Sequence, residues 1–174
     1  MHYCYLDGPV GVLLIAGTEH AVHSISFPKD GKARIPEAGW TESDDGAVGR
    51  AARQLREYFE GRRKSFELAL EPDGTAFQRA VWERLREIPY GKTISYGELA
   101  RRVGKPKAAR AVGAANGANP LPIVVPCHRV IGSNGGLTGF GGGVSVKAAL
   151  LELEQGNRFL DGLGATPEVE IQRR

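Results

Sequence analysis

The chain has 174 residues, of which 41% are hydrophobic and 25% are charged, a composition typical of a globular protein with one or two domains. Its apolar runs are too short to cross a bilayer and its first residues lack a secretory signal, so we expect no membrane partner and a reducing compartment. The two cysteines, Cys4 and Cys127, need not pair, and the net charge is only +3.

This small net charge is unevenly distributed. Residues 1–74 carry a net charge of −3, whereas residues 75–156 carry +6. A basic segment beside an acidic one is common in proteins that bind polyanions, but a solvated helical surface has the same composition. Charge alone leaves both interpretations open.

The N-terminal segment predicts a small sheet. Three apolar stretches separated by turn signals, the first of them Asp7-Gly8, predict a β-meander over residues 1–27. Residues 28–46 are rich in Pro, Gly, Asp and Ser and predict a loop.

A helix and a short strand are predicted to follow. Apolar residues at helical spacing from Val48 to Phe59 predict an amphipathic helix that stops at Gly61. The stretch SFELAL at 65–70 predicts a short strand, and EPDG at 71–74 predicts a domain boundary.

The second half predicts four helices. Thr75 predicts the N-cap of the first, and Ser95 with Glu98 has the spacing of a capping box for the second. Pro106 fits the first turn of the third, and Ser145 predicts the N-cap of the last. That last helix is closed by Gly156, and a loose tail covers residues 161–174.

Two of these helices, over 95–104 and 106–117, have the pattern of a helix-turn-helix. The second is almost all alanine and glycine, with one long side chain, Arg110, near its start. Such a thin helix can press its backbone against a duplex while reading little sequence, or it can pack closely on another helix. The residues leave these two uses open.

The stretch VVPCHRVIG at 124–132 is the main chemical candidate. The flanking prolines predict that Cys127 emerges from a rigid, extended and mostly buried segment. Cys127 is then either a packed core residue or a nucleophile activated through the imidazole of His128. Because neighbours in an extended chain point to opposite faces, a direct contact between the two needs a turn or an intervening water.

Other kinds of site fit poorly. The histidines and cysteines are not at metal-ligand spacing, so we expect no metal. The glycine run at 135–143 lacks the Gly-Lys-Ser/Thr of a phosphate loop, and we predict a loop that walls a pocket. We expect no cofactor.

Several separate stretches of the sequence resemble those of a known protein family and occur in the same order. The blocks are ISYGELA (94–100), KAARAVG (107–113), NPLPIVVPCHRVIG (119–132) and GLTGFGGG (136–143), followed by Lys147 and Glu154. Together they closely resemble the O6-alkylguanine-DNA alkyltransferases, also called methylated-DNA–protein-cysteine methyltransferases. The resemblance covers about residues 75–156 and is only an outline over the first 74.

This resemblance implies a fold. We expect an α+β protein with a small ribonuclease-H-like α/β domain at 1–74. A mostly helical winged-helix domain at 75–160 would follow, carrying the helix-turn-helix and the active site.

It also implies catalytic roles. Cys127 would accept the alkyl group, and His128 would take its proton through a bridging water. Glu154 would hold the imidazole, and Asn119 would brace the turn around the cysteine.

Roles in substrate binding follow in the same way. Tyr96 would donate to the guanine ring, the Val130 carbonyl would accept from the guanine amine, and Phe140 and Gly141 would wall the alkyl pocket, with Lys147 also in the site. Some relatives have tyrosine and serine in place of Phe140 and Gly141. The zinc ligands of some relatives have no match here.

The implied partner is duplex DNA that contains O6-alkylguanine, bound through the minor groove with little sequence specificity. Arg110 would enter the base stack. The other implied DNA contacts are Ser95, Tyr96, Ala108, Ala109, Ala111 and Gly113. We expect a cytoplasmic monomer, nucleoid-associated in a bacterium, and leave cooperative binding open.

Three candidate functions follow from these residues. The first is repair by irreversible, stoichiometric alkyl transfer to Cys127. The second is a lesion-binding signalling protein without chemistry, whose known examples lack the cysteine that this chain has. The third is a redox-sensing winged-helix regulator, which would want a resolving cysteine and base-reading side chains that the alanine-rich helix lacks.

Overall fold

The computed structural model describes residues 1–157, so the predicted tail at 161–174 lies outside them. The strands of this part are β1 (His2–Leu6), β2 (Leu13–Gly17), β3 (Val22–Ser26), β4 (Thr41–Glu42), β5 (Ile94–Ser95) and β6 (Val130–Ile131). The helices are α1 (Gly46–Phe59), α2 (Ala76–Arg86), α3 (Tyr96–Arg102), α4 (Ala109–Gly117) and α5 (Val144–Glu154). None of these helices is long and apolar enough to span a membrane.

The N-terminal sheet has the strand order β3-β2-β1-β4. The first three strands form the predicted antiparallel meander, and every residue of β2 is buried. The prediction of a loop over residues 28–46 is wrong at Thr41 and Glu42, which pair in parallel with β1. Both residues of β4 are exposed, so no apolar alternation could reveal this strand.

Helix α1 packs against this sheet through the predicted apolar face, with Val48, Leu55 and Tyr58 buried. Gly49 allows the helix to start close to the preceding chain. A Cβ at Gly49 would lie 1.8 Å from the Asp44 carbonyl oxygen, which no side chain tolerates.

The predicted strand at 65–70 is wrong apart from one bridge between Leu70 and Val22. The backbone of Glu67 instead bonds to a side chain of α1: its N–H donates to Gln54 Oε1 (2.9 Å) and its carbonyl accepts from Gln54 Nε2 (3.1 Å). The segment is therefore held by α1 at Glu67 and by β3 only at its end, where the Ala69 carbonyl accepts from the Val22 N–H (2.9 Å).

Two helix starts in the second half agree with the sequence prediction. Thr75 caps α2, and Gln78 completes a reciprocal capping box. Ser95 caps α3 by accepting from the Glu98 N–H (3.1 Å). Only this half of the predicted capping box forms, because the Glu98 carboxylate accepts from Arg101 and Arg102 instead.

Two other predicted starts are wrong. Pro106 lies in a turn that ends with a hydrogen bond from the Ala108 N–H to the Lys105 carbonyl (2.8 Å), and α4 begins only at Ala109. Proline fixes its own φ equally well in a turn, so it could not mark the helix start. At α5 the N-cap is Gly143 with φ +91°, and Ser145 is already inside the helix.

One core joins the two halves. Buried side chains of β1–β3 and α1 form a single cluster with those of α2–α5. Trp82 ties α2 to α4 by donating from Nε1 to the Ala115 carbonyl (2.8 Å). The division at residues 74 and 75 stays a prediction, because this core is continuous across it.

The caps give a first test. Thr75→Ala should lower the free energy of unfolding by about 1 kcal/mol, since it removes a side-chain cap from α2. Ser145→Ala is the matched control and should change stability little, because Ser145 is exposed and caps nothing. Urea unfolding measures both, and equal losses would contradict the assignment of the caps.

Candidate active site

The cysteine is presented by a tight turn between α4 and β6. The Asn119 side chain holds this turn from both ends, accepting from the Leu121 N–H (2.9 Å) and donating to the Val125 carbonyl (2.8 Å). Within it Ile123 has φ +73°, which a branched residue rarely adopts. The predicted extended segment is therefore wrong, because the chain reverses direction between the two prolines.

Cys127, His128 and Arg129 form one 3₁₀ turn. The Cys127 N–H donates to Val125 (2.8 Å), and the Cys127 carbonyl accepts from the N–H of Val130. All three side chains of the turn are buried. In an extended chain the thiol of Cys127 and the imidazole of His128 would face opposite sides. The 3₁₀ turn is the local bend that allows both to belong to one site.

His128 lies against the carboxylate at the end of α5. Its Nε2 is 2.7 Å from Glu154 Oε1, and both side chains are fully buried. The structure thus brings together the Cys–His pair and the glutamate that the resemblance named.

Arg129 is a member of this cluster to which the sequence analysis gave no role. Its Nε donates to Glu154 Oε2 (2.8 Å), its Nη2 to Glu154 Oε1 (2.9 Å) and its Nη1 to the Ile88 carbonyl (2.7 Å). A guanidinium inside an apolar run needs a buried carboxylate as its partner. This requirement was the sequence signal from which the part of Arg129 could have been inferred.

Two further donors reach Glu154 from distant parts of the chain. The Tyr58 hydroxyl of α1 donates to Oε1 (2.8 Å), and the Gly91 N–H donates to Oε2 (3.0 Å). Neither carries a local sequence signal, because each contact depends on how the elements pack.

These contacts fix the protonation of the pair. Burial raises the pKa of Glu154, but hydrogen bonds from His128 and Arg129 outweigh it and lower that pKa to about 2. Glu154 is therefore an anion and His128 Nε2 must be the donor, which leaves the lone pair on Nδ1. Burial lowers the pKa of His128, and its Nδ1 is buried without a hydrogen-bond partner among residues 1–157.

Cys127 is a thiol at neutral pH. Burial raises its pKa to about 11, although the Asn119 amide and the Lys147 charge favour the thiolate. A base must therefore remove the proton before the sulfur can act as a strong nucleophile.

A cavity of about 150 Å³ opens beside the sulfur. Of the predicted site residues, Asn119, Cys127, Phe140 and Gly141 line it. Gly139 also lines it, as expected of the glycine run that was predicted to wall a pocket. The sequence analysis missed the other lining residues, which are Ile25, Ser26, Phe27, Arg34, Asn116, Gly117 and Pro122. Phe27 meets Phe140 edge to face with ring centroids 5.4 Å apart, so the N-terminal half forms one wall.

Lys147 and Tyr96 support the glycine-rich loop. Lys147 is fully buried, and its Nζ donates to the carbonyls of Val130 (2.6 Å) and Thr138 (3.4 Å). The Tyr96 hydroxyl lies 2.8 Å from Thr138 Oγ1, and the Lys147 Nζ lies 6.0 Å from the Tyr96 ring. In the described structure neither Lys147 nor Tyr96 lines the cavity.

Helix α4 packs on the core with one face and leaves the other face exposed, so its small residues serve close packing and the use against DNA stays a prediction. Val112 and Ala115 are buried against the core, while Arg110, Ala111 and Ala114 are exposed. Of the remaining residues expected to contact DNA, Ala108 is the N-cap of α4 and Ser95 that of α3, and Ala109 is the first residue of α4. A Cβ at Gly113 would lie 3.5 Å from the Tyr96 ring, which is ordinary contact.

Family models match both halves of the chain. The model described as the DNA-binding domain of 6-O-methylguanine DNA methyltransferase matches residues 76–156, and that of the ribonuclease-like domain matches residues 1–72. The chain belongs to the 6-O-methylguanine DNA methyltransferase family. The resemblance drawn from the sequence blocks, and the α+β class with a ribonuclease-like domain, are confirmed.

Individual members of this family are similar over almost their whole length. The methylated-DNA–protein-cysteine methyltransferase of Methanosarcina acetivorans is 48% identical over 155 residues, covering 88% of this chain and 98% of the relative. That of Mycobacterium tuberculosis is also 48% identical, covering 89% and 93%. The crystal structure of Mycobacterium tuberculosis OGT in complex with DNA superposes with a TM-score of 0.82 at 47% identity, covering 90% and 94%.

The buried carboxylate predicts an acid-sensitive fold for this methyltransferase. The pKa of Glu154 falls from 4.5 to about 2 on folding, so below pH 4.5 the unfolded chain binds a proton that the folded chain excludes. The stability due to Glu154 is complete above pH 4.5 and is lost as the pH falls towards 2. The lowered pKa of His128 acts in the same direction.

Urea unfolding between pH 7 and pH 3 measures this loss. The difference in free energy of unfolding between wild type and Glu154→Gln should be largest above pH 5 and should narrow at lower pH. Glu98→Gln is the control, since its ion pairs are exposed and should contribute little at any pH. A Glu154→Gln deficit that is constant with pH would contradict the assignment.

Proposed function

We propose that this methyltransferase repairs duplex DNA by moving an alkyl group, mainly methyl, from guanine O6 to Cys127, once per protein molecule. The observation that carries the proposal is the thiol of Cys127 at the wall of a cavity, next in the chain to a buried histidine whose second nitrogen is bound to Glu154. A nucleophile, its base and a group that orients the base are the parts that such a transfer needs.

The reaction is an in-line displacement at a saturated carbon. The bond from Cys127 Sγ to the alkyl carbon forms as the bond from that carbon to O6 breaks, and the electron pair passes into the guanine. The guanine takes a proton and leaves unmodified. The thioether on Cys127 has no easy leaving path, so each molecule reacts once.

His128 is the base in this proposal. The high pKa of the buried thiol requires a base, and the Nδ1 lone pair of His128 is the acceptor that the hydrogen bond to Glu154 leaves free. A bridging water carries the proton from Cys127, and the Glu154 anion stabilises the imidazolium.

The guanine is held by Phe140 and Gly141 of the cavity wall, together with Tyr96 and the Val130 carbonyl, which do not line the cavity in this structure. Phe140 packs against the base, the Gly141 N–H donates to O6 and Tyr96 donates to the ring. No described atom lies within 4 Å of a Cβ built at Gly141, which leaves room for the alkyl group. The Val130 carbonyl accepts from Lys147 and still has a second lone pair for the guanine amine.

The lesion must leave the base stack before it reaches the sulfur. Arg110 fills the gap, since it is exposed near the start of α4 and its guanidinium has no hydrogen-bond partner within residues 1–157. The exposed alanines of α4 let the backbone approach the minor groove closely and read little sequence. The protein acts as a monomer in this proposal.

Transfer to Cys127 is tested by mass. Equimolar protein and duplex carrying O6-methylguanine should yield a Cys127 peptide heavier by one methyl group in place of hydrogen, because the thioether is stable. The measurement is mass spectrometry after digestion. The control, Cys127→Ser, should bind the duplex without any gain in the mass of this peptide. An unchanged mass of the wild-type peptide would overturn the proposal.

The role of Arg110 is tested with two substrates. Arg110→Ala should slow transfer from duplex O6-methylguanine more than transfer from free O6-benzylguanine, because only the duplex requires a gap to be filled. Single-turnover rates measure both. Arg56→Ala, which removes an exposed arginine from α1, should slow neither, and an equal loss on both substrates in Arg110→Ala would count against intercalation.

A further inference from the structure

The Glu154 carboxylate receives more hydrogen bonds than the proposed reaction uses. Within residues 1–157 it accepts five, one each from Tyr58, Gly91 and His128 and two from Arg129. Tyr58 is unusual among these donors, because it comes from α1 and lies 96 residues before Glu154 in the chain.

We propose that Tyr58 is a positioning residue for alkyl transfer. Its hydroxyl fixes the carboxylate oxygen that binds His128, so a side chain of the N-terminal half governs the base that serves Cys127. This inference rests on the proposed role of His128.

Tyr58 is itself rigidly held. Its side chain is fully buried in α1, and its ring contacts Phe59, Phe66 and Tyr90 at centroid distances of 5.7, 5.6 and 6.2 Å. Burial and the nearby carboxylate hold the pKa of Tyr58 well above its ordinary value. The hydroxyl therefore stays protonated and donates across the working pH range.

Tyr58 and His128 share one oxygen. Glu154 Oε1 lies 2.8 Å from the Tyr58 hydroxyl and 2.7 Å from His128 Nε2. A donor on a carboxylate oxygen withdraws charge from it and weakens its pull on a second donor. Without the hydroxyl, Oε1 would hold the His128 proton more strongly and would favour the imidazolium in the resting protein.

Other charged and titratable groups surround the pair, and Tyr58→Phe replaces none of them. Arg129 faces both members of the pair, and Lys147 faces His128 from α5. Cys127 precedes His128 in the turn, and Tyr90 lies beside Tyr58 with its hydroxyl on the Leu153 carbonyl (3.5 Å). Tyr58→Phe therefore changes one hydrogen bond and no formal charge.

The experiment compares Tyr58→Phe with Tyr90→Phe, a matched loss of one hydroxyl in the same aromatic cluster. Free O6-benzylguanine is the substrate, so that DNA binding plays no part. The first readout is the pH dependence of the single-turnover rate. The second is the ¹⁵N NMR titration of the imidazole, assigned by the signal that disappears in His128→Gln.

In Tyr58→Phe we expect the acid limb of the rate profile to move up by about one pH unit, which makes transfer about tenfold slower at any pH below the limb. The His128 titration should move in the same direction. Tyr90→Phe should match wild type in both readouts.

The inference would be overturned if folded Tyr58→Phe showed the same acid limb of the rate profile and the same His128 titration as wild type. A drop in urea stability with both readouts unmoved would also overturn it, since Tyr58 would then serve packing alone. Absence of transfer in wild type would instead overturn the proposed function, and the His128 titration would still decide whether Tyr58 controls the imidazole.

Discussion

A buried carboxylate that must be paired organises this molecule. Glu154 is fully buried, and an unpaired anion there would cost several kcal/mol. Its partners come from α1, from the loop after α2 and from the 3₁₀ turn that carries the cysteine. Satisfying one charge therefore fixes the relative positions of four separate parts of the chain, and the nucleophile lies at their junction.

The same burial makes the nucleophile unreactive until a substrate arrives. A thiol with a pKa near 11 is protected from casual oxidation and from stray electrophiles, which matters for a residue that can be used once. The strained φ of Ile123 and the two hydrogen bonds of Asn119 hold the sulfur at the cavity. In the proposed function, reactivity is thus left to the base, His128, which is hydrogen-bonded to Glu154.

Local sequence chemistry predicted the parts of the fold that depend on neighbours. The meander, the face of α1 and the caps at Thr75 and Ser95 depend on neighbouring residues or on a simple period. Ser145 is not the cap of α5, because that helix begins directly after Gly143, which has a positive φ. In the segment at 65–70 the Gln54 side chain binds the backbone of Glu67, and only the end of the segment bridges β3. Cys127 and His128 were singled out from the residues themselves, and Glu154 was named through the resemblance. The part of Arg129 was open to inference from its apolar surroundings but was missed, whereas the contact of Tyr58 depends on how α1 packs.

Because Phe27 and Phe140 meet edge to face, the two halves of the chain together determine the width of the cavity at Cys127. Consider a hybrid chain whose first half comes from another relative. It would keep the cysteine turn but would have different residues on the opposite wall of the cavity. The width of this cavity can therefore change in evolution without a single substitution in the helix-turn-helix half.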